Sequence, residues 1–189
     1  MSRKTKNLIL NLLCIIFLLA VFAFQIDLIF IEGTREEKPP FEKGEILPDF
    51  SAQTIDGQII QLSEEIKQKE TLLVFFSPYS APCRRQIEEI LFYLKEQSEP
   101  LFNLILISDE SKKSLQKFKA EFNVKFPIIY DPDDKIFQKY NIKFVPTSLL
   151  LDKNRKLLYA QVGGEGFSVF KIQALLKYKT KKFVIPERK

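Results

Sequence analysis

Val74-Phe75-Phe76-Ser77-Pro78-Tyr79-Ser80-Ala81-Pro82-Cys83-Arg84-Arg85 is the stretch on which the reading of this chain turns. It runs from an apolar strand through a short polar turn into a helix. Thr71 to Phe76 is apolar after its first residue, as a strand covered on both faces must be. Pro82 to about Gln97 reads as a helix, because Ile87, Ile90, Leu91 and Leu94 fall at steps of three, one and three. Cys83 therefore belongs to the first turn of a helix. Unpaired backbone N–H groups and the helix dipole favour a thiolate there, and Arg84 and Arg85 add positive charge. If its sulfur is reachable, Cys83 should titrate below the free-thiol value of about 8.5.

Outward from this stretch the chain alternates strands and helices. Asp49 to Thr54 and Gln58 to Leu62 flank Asp56-Gly57, a hairpin signal. Ser63, followed by Glu64 and Glu65, opens a short helix. Phe102 to Ile107 reads as a second buried strand and Ser111 to Phe122 as a helix. Phe126 to Tyr130 is a short strand, and Asp133 to Tyr140 a short helix. Thr147 to Leu151 and Lys156 to Val162 are strands around the turn Asp152-Lys153-Asn154-Arg155. Ser168 caps a last helix to about Tyr178. This order predicts an α/β fold with a central mixed sheet and helices on both faces. A second special feature is Val145-Pro146-Thr147, 63 residues beyond Cys83. A proline entering a strand cannot donate a ladder bond, so it belongs at an edge or a special turn.

At 189 residues, 46% hydrophobic and 28% charged, the chain has globular composition. Arg3, Lys4 and Lys6 contribute +3 and residues 171–189 contribute +6, so the stretch between them carries −4 of the total of +5. A mildly acidic body argues against nucleic acid as a partner. Histidine is absent, which removes Ser–His and Cys–His catalysis and His-ligated zinc or haem. Two cysteines make no disulfide framework. No cofactor is expected, and no metal. Asp131, Asp133 and Asp134 lack the Gly and terminal Glu of a calcium loop and read as helix capping.

Leu8 to Phe24 is a run of 17 residues with Asn11 as its one polar member, preceded by bases. It is long enough to span hydrocarbon with some tilt. Val21-Phe22-Ala23 offers a weak cleavage site, so a signal segment is the alternative to a transmembrane anchor. The basic end should stay in the cytoplasm and place the rest of the chain outside. The expected organisation is a membrane anchor over 1–31, contacting lipid and holding Cys14 within the bilayer. A linker follows over 32–44, then one domain over 45–178 and a basic tail over 179–189.

The strand, the Pro82-Cys83-Arg84 triplet and Val145-Pro146-Thr147 together resemble the thioredoxin-like superfamily. The resemblance is to its membrane-anchored ResA/TlpA branch and the neighbouring alkyl hydroperoxide reductase/thiol-specific antioxidant group. It covers roughly Glu45 to Tyr178. It implies a thioredoxin-like fold and a thiol-dependent oxidoreductase at the outer face of the membrane. It also implies that Pro146 is cis and lies against the cysteine motif. Cys83 matches the second cysteine of that motif, and Ser80 stands where the first would be. Tyr79, Pro82, Val145 and Pro146 then line a substrate groove.

Disulfide exchange needs one thiolate to attack and a second thiol to release the product. A serine hydroxyl does neither at neutral pH, so the ordinary intramolecular dithiol cycle is closed to this chain. Ser80 can cap the helix and hydrogen-bond the Cys83 sulfur. Two functional readings follow. In one, Cys83 is a single working thiol whose partner is a protein thiol, a disulfide or a peroxide. The peroxiredoxin pattern also has a hydroxyl three residues before its cysteine, but Phe76 and Pro146 stand where that pattern has proline and arginine. In the other, the groove beside Pro146 is a binding module for an extended partner segment. The bland alternative is ancestry alone, with Cys83 an inert buried thiol.

Overall fold

The computed structural model describes residues 13–22 and 38–183, with the backbone alone for 179–183. Residues 13–22 are helical and exposed. No described helix is long and apolar enough to cross a membrane. The remainder of the expected anchor, 1–12 and 23–31, lies outside the described residues. So does the first part of the linker.

From residue 38 the elements run β1 (Ser51–Gln53), β2 (Ile59–Gln61), α1 (Leu62–Glu65), β3 (Thr71–Phe75), α2 (Ala81–Lys95), β4 (Asn103–Ser108) and α3 (Lys112–Glu121). Next come β5 (Ile128–Tyr130), α4 (Lys135–Lys139), β6 (Thr147–Leu151), β7 (Leu157–Val162) and α5 (Val169–Phe183). Five strands form one sheet in the order β5-β4-β3-β6-β7. β4 lies parallel to β3 and β5, whereas β6 lies antiparallel to β3 and β7. The sheet is mixed, as its element order predicts.

β3 sits at the centre because its sequence leaves it nowhere else to go. All five of its residues are buried. Alternate side chains of a strand point to opposite faces. Leu72 and Val74, with Phe76 beyond the strand end, pack among Ile87 and Ile90 of α2, Phe118 of α3 and Ile172 of α5. Leu73 and Phe75 point the other way, among Leu62, Phe137, Tyr140 and Leu149. Phe75 meets Phe137 edge-on, with ring centroids 5.2 Å apart. Each large apolar side chain so buried contributes about 1.5–3 kcal/mol. Helices thus cover both faces.

The hairpin forms at Asp56-Gly57, where Gly57 takes a φ of +90° that a side chain would resist. β1 and β2 make a separate two-stranded sheet rather than joining the main one. A bridge between Thr54 and Ile129 fastens it to the β5 edge. Two helix starts, those of α1 and α4, differ from the sequence expectation because a distant or displaced group bonds the first backbone N–H groups. Ser63 lies inside α1, and its N–H donates to Asp49 Oδ1 at 2.9 Å. Asp133 and Asp134 do not cap α4. Buried Asp131 does, its Oδ2 accepting from the N–H groups of Ile136 and Phe137 at 2.8 and 3.0 Å. At α5 the N–H of Val169 donates to Glu89 of α2 at 3.0 Å, and the helix continues past Tyr178 to Phe183.

Removing the Asp131 carboxylate leaves two buried N–H groups without their acceptor. Asp131→Ala should therefore cost about 2 kcal/mol in urea unfolding at neutral pH. Asp133→Ala, which breaks only an exposed pair with Lys135, should change stability by less than about 0.5 kcal/mol.

Candidate active site

The register of β3 on β6 assembles the site. Phe75 pairs with Thr147, so the turn that leaves β3 and the Val145-Pro146 segment that enters β6 emerge at the same end of the sheet. The Val145–Pro146 bond is cis, in accord with the sequence expectation. Gln86, one turn beyond Cys83, donates to Ser148 and ties α2 to β6 just after Pro146. Pro146 itself is buried. Half-buried Val145 is the residue that reaches the surface. With Ser77, Asp109, Glu110 and Phe137 it lines a cleft of ≈ 530 Å³.

The motif turn is held by its own hydrogen bonds. The Ser80 N–H donates to the Ser77 carbonyl at 3.2 Å, and the Ser77 hydroxyl donates to Glu110 at 3.0 Å. Ser80 is the N-cap of α2, and its Oγ accepts from the Cys83 N–H at 3.5 Å. Pro82 occupies an early helical position, where its missing N–H costs nothing. Exposed Tyr79 shares a hydrogen bond with Ser114 of α3 at 2.5 Å. Pro82 is exposed to solvent on one side and approached by Gly164 on the other. A Cβ on Gly164 would lie 3.0 Å from the Pro82 Cβ, so the loop after β7 comes this close only because the residue is glycine.

Cys83 does not meet the condition set for a lowered thiol, a reachable sulfur. Its side chain is fully buried, at 0% exposure, among Phe76, Ile87 and their neighbours. Burial pushes its thiol up rather than down. Hydrogen bonds from the Ser80 side chain and from the Ser77 backbone act in the opposite sense without prevailing. Neither arginine acts on the sulfur. Arg84 turns to α3, ion-pairs with Glu121 and stands 4.7 Å above the Phe122 ring. It also donates to the Pro78 carbonyl at 3.2 Å. Arg85 is exposed to solvent. The helix start that favours a thiolate is therefore present, but the sulfur sits on its inward side.

Two features of the site escaped the sequence reading. Gln86 is 3% exposed, and its Oε1 has no partner among the described residues. The signal was a polar residue beside Ile87 and Ile90 on the apolar face of a helix. The second is the acidic character of the cleft. The Asp109 carboxyl is raised above the usual carboxylate range by burial and by the negative charges of Asp134, Glu110 and Asp131. These residues are separated in sequence, and only the sheet end collects them.

Known proteins fit this geometry. The sequence profile of the AhpC/TSA family matches residues 43–160, well over half of the chain and inclusive of Ser80, Cys83 and Pro146. The thiol-disulfide oxidoreductase ResA of Geobacillus kaustophilus is 29% identical over 155 residues, covering 80% of this chain and 85% of that protein. Its counterpart in Bacillus cereus is 25% identical over 161 residues, covering 85% and 90%. A crystal structure described as thiol:disulfide interchange protein DsbE of Chlorobium tepidum superposes with a TM-score of 0.61. Its identity is 26%, over 72% of this chain and 99% of that one. With its mixed sheet, its helices on both faces and its Cys83 motif inside the matched region, the chain belongs to the AhpC/TSA family and has the thioredoxin-like fold.

Proposed function

We propose that this chain is a membrane-tethered, extracytoplasmic thiol-dependent oxidoreductase that works with one sulfur, Cys83. The observation that carries the reading is the hydrogen-bonded Ser80–Cys83 pair in the first turn of α2, at the sheet end where Val145-Pro146 is cis. The naming of its relatives as thiol-disulfide oxidoreductases supports a disulfide rather than a peroxide as substrate. The tether is supported by the basic start and apolar run of the sequence, and by the exposed apolar side chains over 13–22.

The chemistry is exchange in two steps. The Cys83 thiolate attacks one sulfur of a partner disulfide, a new S–S bond forms, the old one breaks, and the departing thiolate takes a proton. A thiol from another molecule, either a second cysteine of the partner or a low-molecular-weight thiol, then attacks the mixed disulfide and returns Cys83. Ser80, whose Oγ accepts from the Cys83 N–H, cannot resolve the intermediate. Exposed Tyr79 and Pro82 and half-buried Val145 would frame the extended partner segment, with buried Pro146 setting the course of the chain at Val145 rather than touching the partner. The complete burial of Cys83 favours a second reading, in which the groove binds without exchange.

Trapping decides between them. The full-length Cys14→Ser chain, offered glutathione disulfide, should form a mixed disulfide at Cys83 seen by mass spectrometry and released by added thiol. Its rate should climb with pH through and beyond about 8.5, because burial holds the folded thiol above the free value. A native chain that never forms the adduct, while the unfolded chain does, refutes exchange and leaves the binding groove.

Ser80→Cys supplies the missing sulfur three residues before Cys83, at the start of the same helix, where the separation should suit a disulfide, which bridges Cα atoms ~4.4–6.8 Å apart. The variant should form an internal disulfide and reduce a model substrate without an added resolving thiol. Two thiols that never pair would show that Ser80 does not occupy the attacking position. For topology, a reporter active only in the cytoplasm and fused after Lys189 should be silent. Activity there would overturn the extracytoplasmic placement.

A further inference from the structure

A second concave surface lies away from the cleft beside Val145. It is a groove of ≈ 1040 Å³ between the outer side of α2 and the end of α3 with the loop after it. Leu91, Phe92, Phe122 and Phe126 supply its apolar surface. Phe92 is 68% exposed, an unusual cost for a phenyl ring on a helix that already buries its other face. The rim is cationic. Arg84 is neutralised by Glu121, which leaves Arg85, Lys95 and Lys125 against the single carboxylate of Glu88 among the remaining charged lining residues. No ion pair engages those three cations among the described residues. The groove is thus locally positive on a body whose overall charge between the two basic ends is negative.

We infer that this groove docks an acidic amphipathic helix of a partner protein, with apolar side chains on Phe92, Phe122 and Phe126 and carboxylates against Arg85, Lys95 and Lys125. Charge complementarity chooses the sign of the partner, and shape chooses its form. α2 is about 20 Å long, which accommodates roughly three turns of a helix laid along it. Anchors at i, i+3 or i+4 and i+7 would enter the apolar strip while the flanking acids face the rim. Phe122 and Phe126 are half-buried, so contact with them needs an inserted side chain, which the flat surface of a bilayer does not offer. The inference is independent of sulfur chemistry. It concerns the solvent side of α2, whereas Cys83 occupies the inner side.

The probe is a displayed library of helical peptides, selected on the full-length chain. Enriched peptides should combine Leu or Phe at helical spacing with an excess of Asp and Glu. They should bind the double variant Arg85→Glu/Lys125→Glu at least about tenfold more weakly and lose affinity as salt rises. Phe92→Ser, at an exposed position that tests the apolar strip without changing charge, should weaken them comparably. Cys83→Ala should bind them unchanged, which separates this result from the outcome of the trapping experiment. No enrichment, or enriched peptides without net negative charge, would overturn the inference. Equal binding to the double variant would do the same. Protection of Phe92 by vesicles containing phosphatidylglycerol, in the absence of any peptide, would reassign the groove to a lipid surface. Self-association of the chain abolished by the same variants would reassign it to a second copy.

Discussion

The structure depends on the double burial of β3. A strand with apolar residues on both faces must have a layer on each side and a strand on each edge, and β3 has all four. β4 and β6 flank it in the sheet. One face meets α2, α3 and α5, and the other meets α1 and α4, with the strand's own Phe75 against Phe137 and Tyr140. Because β3 is fixed from every direction, the turn that leaves it is fixed too. Its pairing with β6 then decides that Ser77 and Val145 line one cleft, although 68 residues of chain separate them.

The same packing sets the terms of the chemistry. A helix N-terminus contributes about 0.3–1 kcal/mol to a nearby anion at an exposed site, and up to about 2 in partly buried geometry. Taking a charge into an apolar interior costs several kcal/mol. At Cys83 burial prevails over the hydrogen bonds that favour the thiolate, and the thiol is raised. Arginine at the next position does not alter the balance. Its guanidinium lies over Phe122 and pairs with Glu121, so its charge serves the α2–α3 contact instead of the sulfur. On the proposed exchange reading, the enclosed sulfur has to be uncovered at the start of α2, where Pro82 is exposed and Gly164 approaches it.

Charge is divided over the surface in a way that composition conceals. The cleft beside Val145 gathers Asp109, Glu110 and Asp134 against Lys143, whereas the groove along the outer side of α2 gathers Arg85, Lys95 and Lys125 against Glu88. A partner approaching the first meets carboxylates, and one approaching the second meets cations. The two concave surfaces thus differ in the sign of their charge.

Much of the fold was legible in the residues because its signals are local. Apolar continuity from Leu72 to Phe76, helical spacing from Ile87 to Leu94 and the Asp56-Gly57 turn each report on a few neighbours. The order of elements follows from them. The motif was legible for the same reason: Ser80, Pro82 and Cys83 share one turn, and Val145-Pro146-Thr147 is a contiguous triplet. Helix starts were less legible, since Asp131, Asp49 and Glu89 act on backbone groups 5, 14 and 80 residues away. The state of the site was not legible at all. Whether Cys83 faces solvent depends on the rotation of α2 against the sheet, and that rotation is set by contacts far apart in sequence. Arg84 finds Glu121 across 37 residues, and Gln86 finds Ser148 across 62. The sequence by itself determined which sulfur and which hydroxyl stand at the helix start, because that is a matter of spacing along one turn. Only the tertiary structure decided that the sulfur is enclosed and its neighbouring charge engaged elsewhere, because burial and ion pairing belong to whichever distant segments the sheet brings together.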